Sequence, residues 1–261
     1  MSIPLFSLLL PAEKAEPAPA LLPASNDMPS EYFTFKRFRI HHDRSSMKVG
    51  TDGVLLGAWA DVARASRILD VGCGCGLIAI MAAQRSAAHV TGVEIDAPSA
   101  AQATANAAAS PFAGRIGIVC TDVRTFCPDE RFDCILSNPP FFDESLLPPD
   151  PVRASARHTS ALSFAALVEA ACRLMAPRAT LQVIVPATAR TAFLTEASAR
   201  GLWLVRRTDV VTVPGKAPKR TLLHLSSGRP DEAPAVDELP LCGRDGRRPP
   251  EYDRLTHDFY L

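Results

Sequence analysis

The chain has 261 residues, 47% of them apolar, and its 28 basic residues balance its 28 acidic ones. A chain of this size and composition buries one large core, and its zero net charge excludes a globally basic nucleic-acid binder, leaving only local basic patches for such a partner. The seven cysteines, odd in number and without C-x-x-C or His/Cys spacing, read as buried thiols of a reducing cytoplasm and not as disulfides or a metal site.

The opening "MSIPLFSLLLPA" has no Lys or Arg before it, is interrupted by Pro4 and Pro11, and does not reach the ~18 apolar residues of a membrane span, so it reads as neither signal nor anchor. Residues 1–30 read as a disordered Pro/Ala-rich extension, with Met28 a candidate start of the functional protein, and 31–261 as a single domain. Its head, 31–60, interleaves aromatics with Lys36, Arg37, Arg39, Arg44 and Lys48. That pattern suits single-stranded nucleic acid, with cations for phosphate and rings for bases; it equally suits an edge hairpin with a buried aromatic face and a solvated cationic one.

From Ser66 onward strands and helices alternate. "RILDV" reads as a buried strand, "LIAIMAAQR" as a helix, "HVTGVEI" as a second strand, and the Ala-rich "SAAQATANAAA", opened by Pro98, as a second helix. "RIGIVCT", "FDCILS" and "TLQVIVP" supply three more strands, the last preceded by the helix-like "FAALVEAACRLM". After the helix "ATARTAFLTEASAR", "LWLVRRTDVVTV" and "RTLLHLSS" are joined by the turn "PGKAPK" and are expected to pair antiparallel at the sheet edge. Residues 227–250 read as a flexible loop. The predicted fold is α/β, Rossmann-like: a mostly parallel, doubly wound, seven-stranded sheet with an antiparallel edge hairpin.

Two motifs carry chemistry. "LDVGCGCG" puts Asp70 at a strand end and Gly72, Gly74 and Gly76 in the turn that starts a helix, where glycines let the backbone approach a ligand and the helix end favours electronegative groups. The next strand carries Glu94, placed to accept the ribose hydroxyls of a nucleoside cofactor. "FDCILSNPPFFDE" ends the fourth of these strands in Asn138-Pro139-Pro140-Phe141. In a doubly wound sheet the first and fourth strands are neighbours, so this turn faces the glycine turn. Two prolines hold the Asn138 amide oxygen and the Pro139 carbonyl rigidly as acceptors for the two hydrogens of a planar NH2, and Phe141 is placed to stack on it. Substrate contacts come from outside this core: the head, a basic cluster of Arg206, Arg207, Lys216, Lys219 and Arg220, and Arg153, Arg157 and His158 in the loop after the prolines.

"LDVGCGCGLIAI" followed by "GVEID" resembles the signature of class I S-adenosylmethionine-dependent methyltransferases, and "NPPF" resembles the element of those that methylate amino groups. By that resemblance the cofactor is S-adenosylmethionine, held by Asp70, Gly72, Gly74, Gly76, Glu94, Asn138 and, at the adenine amine, Asp122. Asp122 has an equal alternative as the cap of its own short turn. "FTFKRF", "HDRSSMKVGTDGVLLGAW", "NPPFF", "ARHTSAL" and "RTDV" are similar to the bacterial tRNA1(Val) adenine N6-methyltransferase family. The resemblance implies methylation of an adenine at position 37 of a tRNA, in the cytoplasm, with Lys36, Arg37, Arg39, Arg44, Lys48, Arg157, His158, Lys219 and Arg220 on the RNA, no metal and no membrane. It also implies that Thr51 to Trp59 form a capped helix leading into the cofactor site, with Thr51 and Asp52 as caps rather than ligands. Tyr252, Leu255 and Phe259, at helical spacing, read as a core stripe before a base platform. Two alternatives remain open: a protein glutamine or rRNA amino-methyltransferase sharing the Asn-Pro-Pro element, and a cofactor- and RNA-binding module without turnover.

Overall fold

The structure, a computed structural model, describes residues 31–139 and 162–261. A short antiparallel ribbon of β1 (Tyr32–Thr34) and β2 (Arg39–His41) leads into α1 (Thr51–Trp59). Then follow β3 (Arg67–Val71), α2 (Leu77–Arg85), β4 (His89–Glu94), α3 (Ala97–Ala109), β5 (Ile116–Cys120) and β6 (Phe132–Ser137). The second half holds α4 (Phe164–Leu174), β7 (Met175–Pro186), α5 (Arg190–Ala199), β8 (Trp203–Val211), β9 (Arg220–Ser226), β10 (Ala235–Pro240) and α6 (Pro250–Thr256).

Among the described residues, the eight strands after this ribbon form one sheet in the order β10-β8-β9-β7-β6-β3-β4-β5. All its pairings are parallel except those of β9, which runs against both β7 and β8. One core packs α1, α2 and α6 on one face, centred on Leu55, Leu56, Ile68 and Ile80. The other packs α4 and α5 on the opposite face, centred on Leu69, Ile135, Leu181 and Phe193. Burial on both faces explains why β3 and β6 read as continuous apolar runs with no alternation. Local signals set the helices: Asp96 caps α3 by accepting from Ser99 N at 3.0 Å, with Pro98 in its first turn, and Ser163 caps α4 through Ala166 N at 3.2 Å. Tyr252 and Phe259 are buried and Leu255 packs beside them, so the C-terminal stripe is core.

Two features differ from the sequence-based expectation. The β8–β9 hairpin is antiparallel, but the sheet has an eighth strand and β8 is not its edge: β10 pairs parallel outside it, within the segment read as a flexible loop. β10 escapes detection because "AVDELP" is solvated along most of its length, with only Leu239 and Pro240 buried. It is held instead by polar bonds from Asp237 to Thr208 and to Arg206, the latter at 2.8 Å. β7 begins at Met175, five residues before "TLQVIVP", through an irregular stretch where Arg178 takes a φ of 63°. Among the described residues no helix is long and apolar enough to cross a membrane.

Candidate active site

β3 and β6 are direct parallel neighbours, with Val71 opposite Ser137, and the Ser137 hydroxyl donates to the Val71 carbonyl at 2.9 Å. Gly72 and Asn138, the next residue of each chain segment, therefore leave the same edge of the sheet side by side. A cavity of about 740 Å³ opens there, lined by Gly72, Gly74, Glu94, Asp122, Asn138 and Pro139 among others. Its volume and its mixed apolar and polar walls are those of a small-molecule site.

The glycine turn is built for close approach. Gly72, Gly74 and Gly76 all have positive φ, at 69°, 54° and 84°. A Cβ on Gly72 would meet no atom within 4 Å, whereas at Gly76 it would press on Ala103 at 3.3 Å. Gly72 and Gly74 thus face the cavity, and Gly76 lets α2 lie against α3. Glu94 fastens the turn: one carboxylate oxygen accepts from Gly74 N and the other from Asp96 N, both at 2.9 Å. Cys73 and Cys75 also line the cavity, but burial pushes both thiols up, that of Cys75 to about 11, so neither is a nucleophile at neutral pH.

Asp70 and Gly76 do not line the cavity. Asp70 is fully buried beneath the turn, where its Oδ2 accepts from Ala79 N at 3.0 Å and so caps α2 from the strand, since the cap residue Gly76 has no side chain. Its Oδ1 has no partner among the described residues. Burial pushes this carboxyl up to about 7, partly offset by the Ala79 N–H and reinforced by Glu94. Because the folded state holds the proton between the ordinary value near 4 and about 7, stability falls as pH rises through that window, by a few kcal/mol at most. The apoprotein is expected to melt at a lower temperature at pH 8 than at pH 5.5. Asp70→Asn, which keeps an acceptor for Ala79 and removes the charge, should flatten the difference; an undiminished drop in that variant contradicts the assignment.

Asp122 lines the cavity, and Arg124 occupies its carboxylate with bonds of 2.5 to 3.0 Å while Arg124 N also donates to Oδ1 at 2.9 Å. Arg124 holds this carboxyl below its usual range. The Asp122 carbonyl accepts from Thr125 and Phe126 N, so the residue does cap its turn, and it does so while facing the cavity. Asn138 donates through Nδ2 to Met47 Sδ at 3.8 Å, and its Oδ1, shielded from solvent, has no partner among the described residues. Pro139 is buried; Pro140, Phe141, Arg157 and His158 lie outside the described residues.

The head proves to be a wall of this site. Ser99, Gln102 and Asn106 share one face of α3 and are buried. Asn106 binds the His41 backbone twice, at 3.0 and 2.8 Å, and the Cys75 carbonyl at 2.8 Å; Gln102 takes Arg44 N and the Asp43 carboxylate; Ser99 takes Ser46 N. This strap lays residues 46–53 along the cavity. The sequence signal was present as three polar residues at helical spacing in an otherwise Ala-rich helix. Asn106→Ala removes the partner of the buried Cys75 carbonyl and of two half-buried His41 backbone groups, and should cost about 1–3 kcal/mol in urea unfolding and weaken occupancy of the cavity several-fold. Wild-type values for both would show that the strap holds nothing.

Thr51 and Asp52 do not cap α1. Gly50 is the cap residue, with no side-chain bond, while Asp52 pairs with Arg220 at 2.7 Å on the cavity lip. Lys48 lines the cavity with them. Lys36, Arg37 and Arg39 lie elsewhere: Lys36 Nζ donates to the His257 carbonyl at 2.5 Å, Arg37 lies over Phe112, and Arg39 over Tyr32. α3 runs down from the cavity for thirteen residues, which puts Phe112 and Arg37 roughly 20 Å away at about 1.5 Å per residue. Phe35 and Phe38, in the turn of the ribbon, are buried, whereas Tyr32 and Phe33 on β1 are exposed, so the tip packs as core and the strand keeps an open aromatic face. Lys219 is exposed beside Arg220, and Arg44 is fixed by its backbone to Gln102.

A family model for the methyltransferase small domain matches residues 46–185. The chain is 45% identical over 234 residues to the tRNA1(Val) (adenine(37)-N6)-methyltransferase of Phocaeicola vulgatus, covering 90% of this chain and 99% of that protein. It is 44% identical over 234 residues to the protein of the same name from an Enterobacter species, covering 88% and 94%. Among solved structures it is similar to a predicted O-methyltransferase from Agrobacterium tumefaciens, with a TM-score of 0.61 and 22% identity over 80% of this chain and 96% of that one. A putative RNA methyltransferase from Pyrococcus horikoshii gives a TM-score of 0.50 and 19% identity over 68% and 82%. Such identities to solved structures bear on the fold alone.

Proposed function

The chain belongs to the bacterial tRNA1(Val) (adenine(37)-N6)-methyltransferase family, and from that premise we propose how its cavity transfers a methyl group to the exocyclic amine of a tRNA adenine. The cofactor is S-adenosylmethionine, which when bound supplies the methyl as an electrophile on a sulfonium. The cavity fits such a ligand: the Gly72–Gly74 backbone is open to it, Glu94 and Asp122 present carboxylates, and Asn138 Oδ1 is a shielded acceptor with no partner among the described residues.

Glu94, pinned by two backbone N–H groups, keeps lone pairs on both oxygens for a pair of ribose hydroxyls. Asp122, shared with Arg124, takes the adenine amine of the cofactor, and the uncapped N-terminus of α1 favours its carboxylate. Asp70 acts from beneath, by holding the start of α2. Asn138 Oδ1 and the Pro139 carbonyl would hold the substrate amine by accepting hydrogen bonds from its two hydrogens, leaving the nitrogen lone pair free to take the methyl that the bound cofactor would supply. The cationic product loses its proton to solvent, so no general base is required. The stacking role of Phe141 rests on its place in the sequence.

Lys48 and Arg220, at the lip, are the RNA-binding candidates nearest the chemistry. Lys36, Arg37, Arg39 and Arg44 extend the candidate surface along the ribbon and strap, and Lys219 adds to it beside Arg220; Arg157 and His158 are candidates by their place in the sequence alone. The site is proposed to work in the cytoplasm, where its substrate resides.

The observation that carries this mechanism is the unpartnered Asn138 Oδ1 one residue beyond the Val71–Ser137 pairing. Incubation with methyl-labelled cofactor tests it, with bulk tRNA in one arm and a glutamine-containing release-factor peptide in the other. Label in tRNA alone is the expected result; label in the peptide alone, or in neither, overturns the assignment.

A further inference from the structure

At the carboxyl end of the sheet, the turn 212–219 between β8 and β9 lies against the loop 241–249 that follows β10. Parallel pairing continues past the strand ends, with Leu241 N donating to Val211 O at 2.9 Å and Cys242 N to Thr212 O at 3.0 Å. A Cβ on Gly215 would stand 3.6 Å from Arg244 Nη2. Lys216, Lys219, Arg244 and Arg247 are all exposed, and their side chains make no hydrogen bond or ion pair with any described residue.

The other cations nearby are engaged. Arg206 and Arg207 pair with Asp237 and Asp209 at 2.8 and 3.3 Å, and Arg248 lies over the Tyr260 ring. One acid, Asp245, shares the loop, where it accepts from Arg247 N at 3.1 Å. In a chain of zero net charge, four unpaired cations on two adjoining loops are a local excess. The excess begins at the cavity: Lys219 precedes Arg220, which lines the lip and is tied to Asp52. From β6, whose end leads into Asn138, to β10 is four strand spacings, roughly 19 Å at about 4.8 Å each.

We infer that Lys216, Lys219, Arg244 and Arg247 form a track for the phosphate backbone of the RNA whose base enters the cavity. This rests on the reading of the chain as a tRNA adenine methyltransferase. A base can reach a recessed amine acceptor only when its nucleotide is drawn out of the stack, and that brings the flanking phosphates to the lip. Solvent-exposed lysines and arginines without partners suit phosphate contact without sequence readout, which places the strand and leaves the choice of base to the cavity.

The test uses the full chain, a fluorescent tRNA and two surface double variants, Lys216→Glu/Lys219→Glu and Arg244→Glu/Arg247→Glu. Each is expected to weaken tRNA binding about tenfold or more at 0.1 M salt. Each should also make the log–log salt dependence shallower by about 0.7–0.9 per lost contact, and raise KM for tRNA with kcat and cofactor affinity unchanged. If the wild type methylates tRNA and both variants keep its affinity and salt slope, the track is wrong and the parent reading stands. A fall in kcat or cofactor affinity with an unchanged slope assigns these residues to the site and also overturns the track. A wild type that neither binds nor methylates tRNA removes the parent reading itself, and the track with it.

Discussion

Asn138→Ala is expected to lower kcat by about 10²–10³ while cofactor affinity stays within about threefold of wild type. Removing the acceptor takes away a contact made to the reacting amine, and the glycine turn, Glu94 and Asp122 are left in place. The variant should also lose little stability, because Oδ1 is shielded from solvent and has no partner among the described residues, and the amide's other contact is one long bond to Met47 Sδ at 3.8 Å. A catalytic loss with a nearly unchanged Tm separates a reacting-site role from a structural one, since a residue that merely holds its turn would lose stability when truncated. Asn138→Asp keeps two acceptors but adds a charge that binds water and cations, and should fall between. Near-wild-type turnover of Asn138→Ala refutes the role outright.

Glu94→Ala should raise the cofactor Kd by about 10²-fold. Two effects add: the ribose loses its carboxylate, and Gly74 N and Asp96 N lose the acceptors that fix the turn. Each orphaned backbone group costs about 1–3 kcal/mol where water cannot replace the partner, so a drop in stability accompanies the loss of affinity. Glu94→Gln, which keeps one acceptor oxygen, should lie between the two in both measurements. Turnover at saturating cofactor should change little, because Glu94 does not touch the reacting amine. Isothermal titration with the demethylated cofactor reads the affinity directly; unchanged binding in the Ala variant would show that the carboxylate faces elsewhere.

The central sheet and the meeting of its two turns were legible because both depend on short-range rules. Apolar runs bounded by glycine and proline mark β3 and β6, and the parallel crossover order makes them neighbours. The parts that were not legible depend on polar contacts between segments distant in sequence. β10 is stabilised by Asp237 bonding to Thr208 and Arg206, with little apolar burial of its own. Asp52 looked like a cap because it opens a helix, yet its partner is Arg220, a residue no local pattern connects to it. The head read equally well as a nucleic-acid platform or a packed hairpin, and burial of Phe35 and Phe38 decides for packing at the tip. Its continuation as a strap over the cavity follows from Ser99, Gln102 and Asn106, whose spacing was visible but whose partners, His41 to Ser46, were not. Asp70 shows the reverse case: the motif is present, and the structure places the residue below the cavity, capping α2.

The adjacency of the Gly72 turn and Asn138 at one mouth is tested most directly by nucleoside mass spectrometry of tRNA treated with the purified protein and cofactor deuterated at the methyl group. The wild type is predicted to place the deuterated methyl in N6-methyladenosine and in no other nucleoside, with the signal lost in Asn138→Ala under conditions where that variant still binds cofactor. Label in a different nucleoside, or equal N6-methyladenosine from the Asn138→Ala protein, contradicts it.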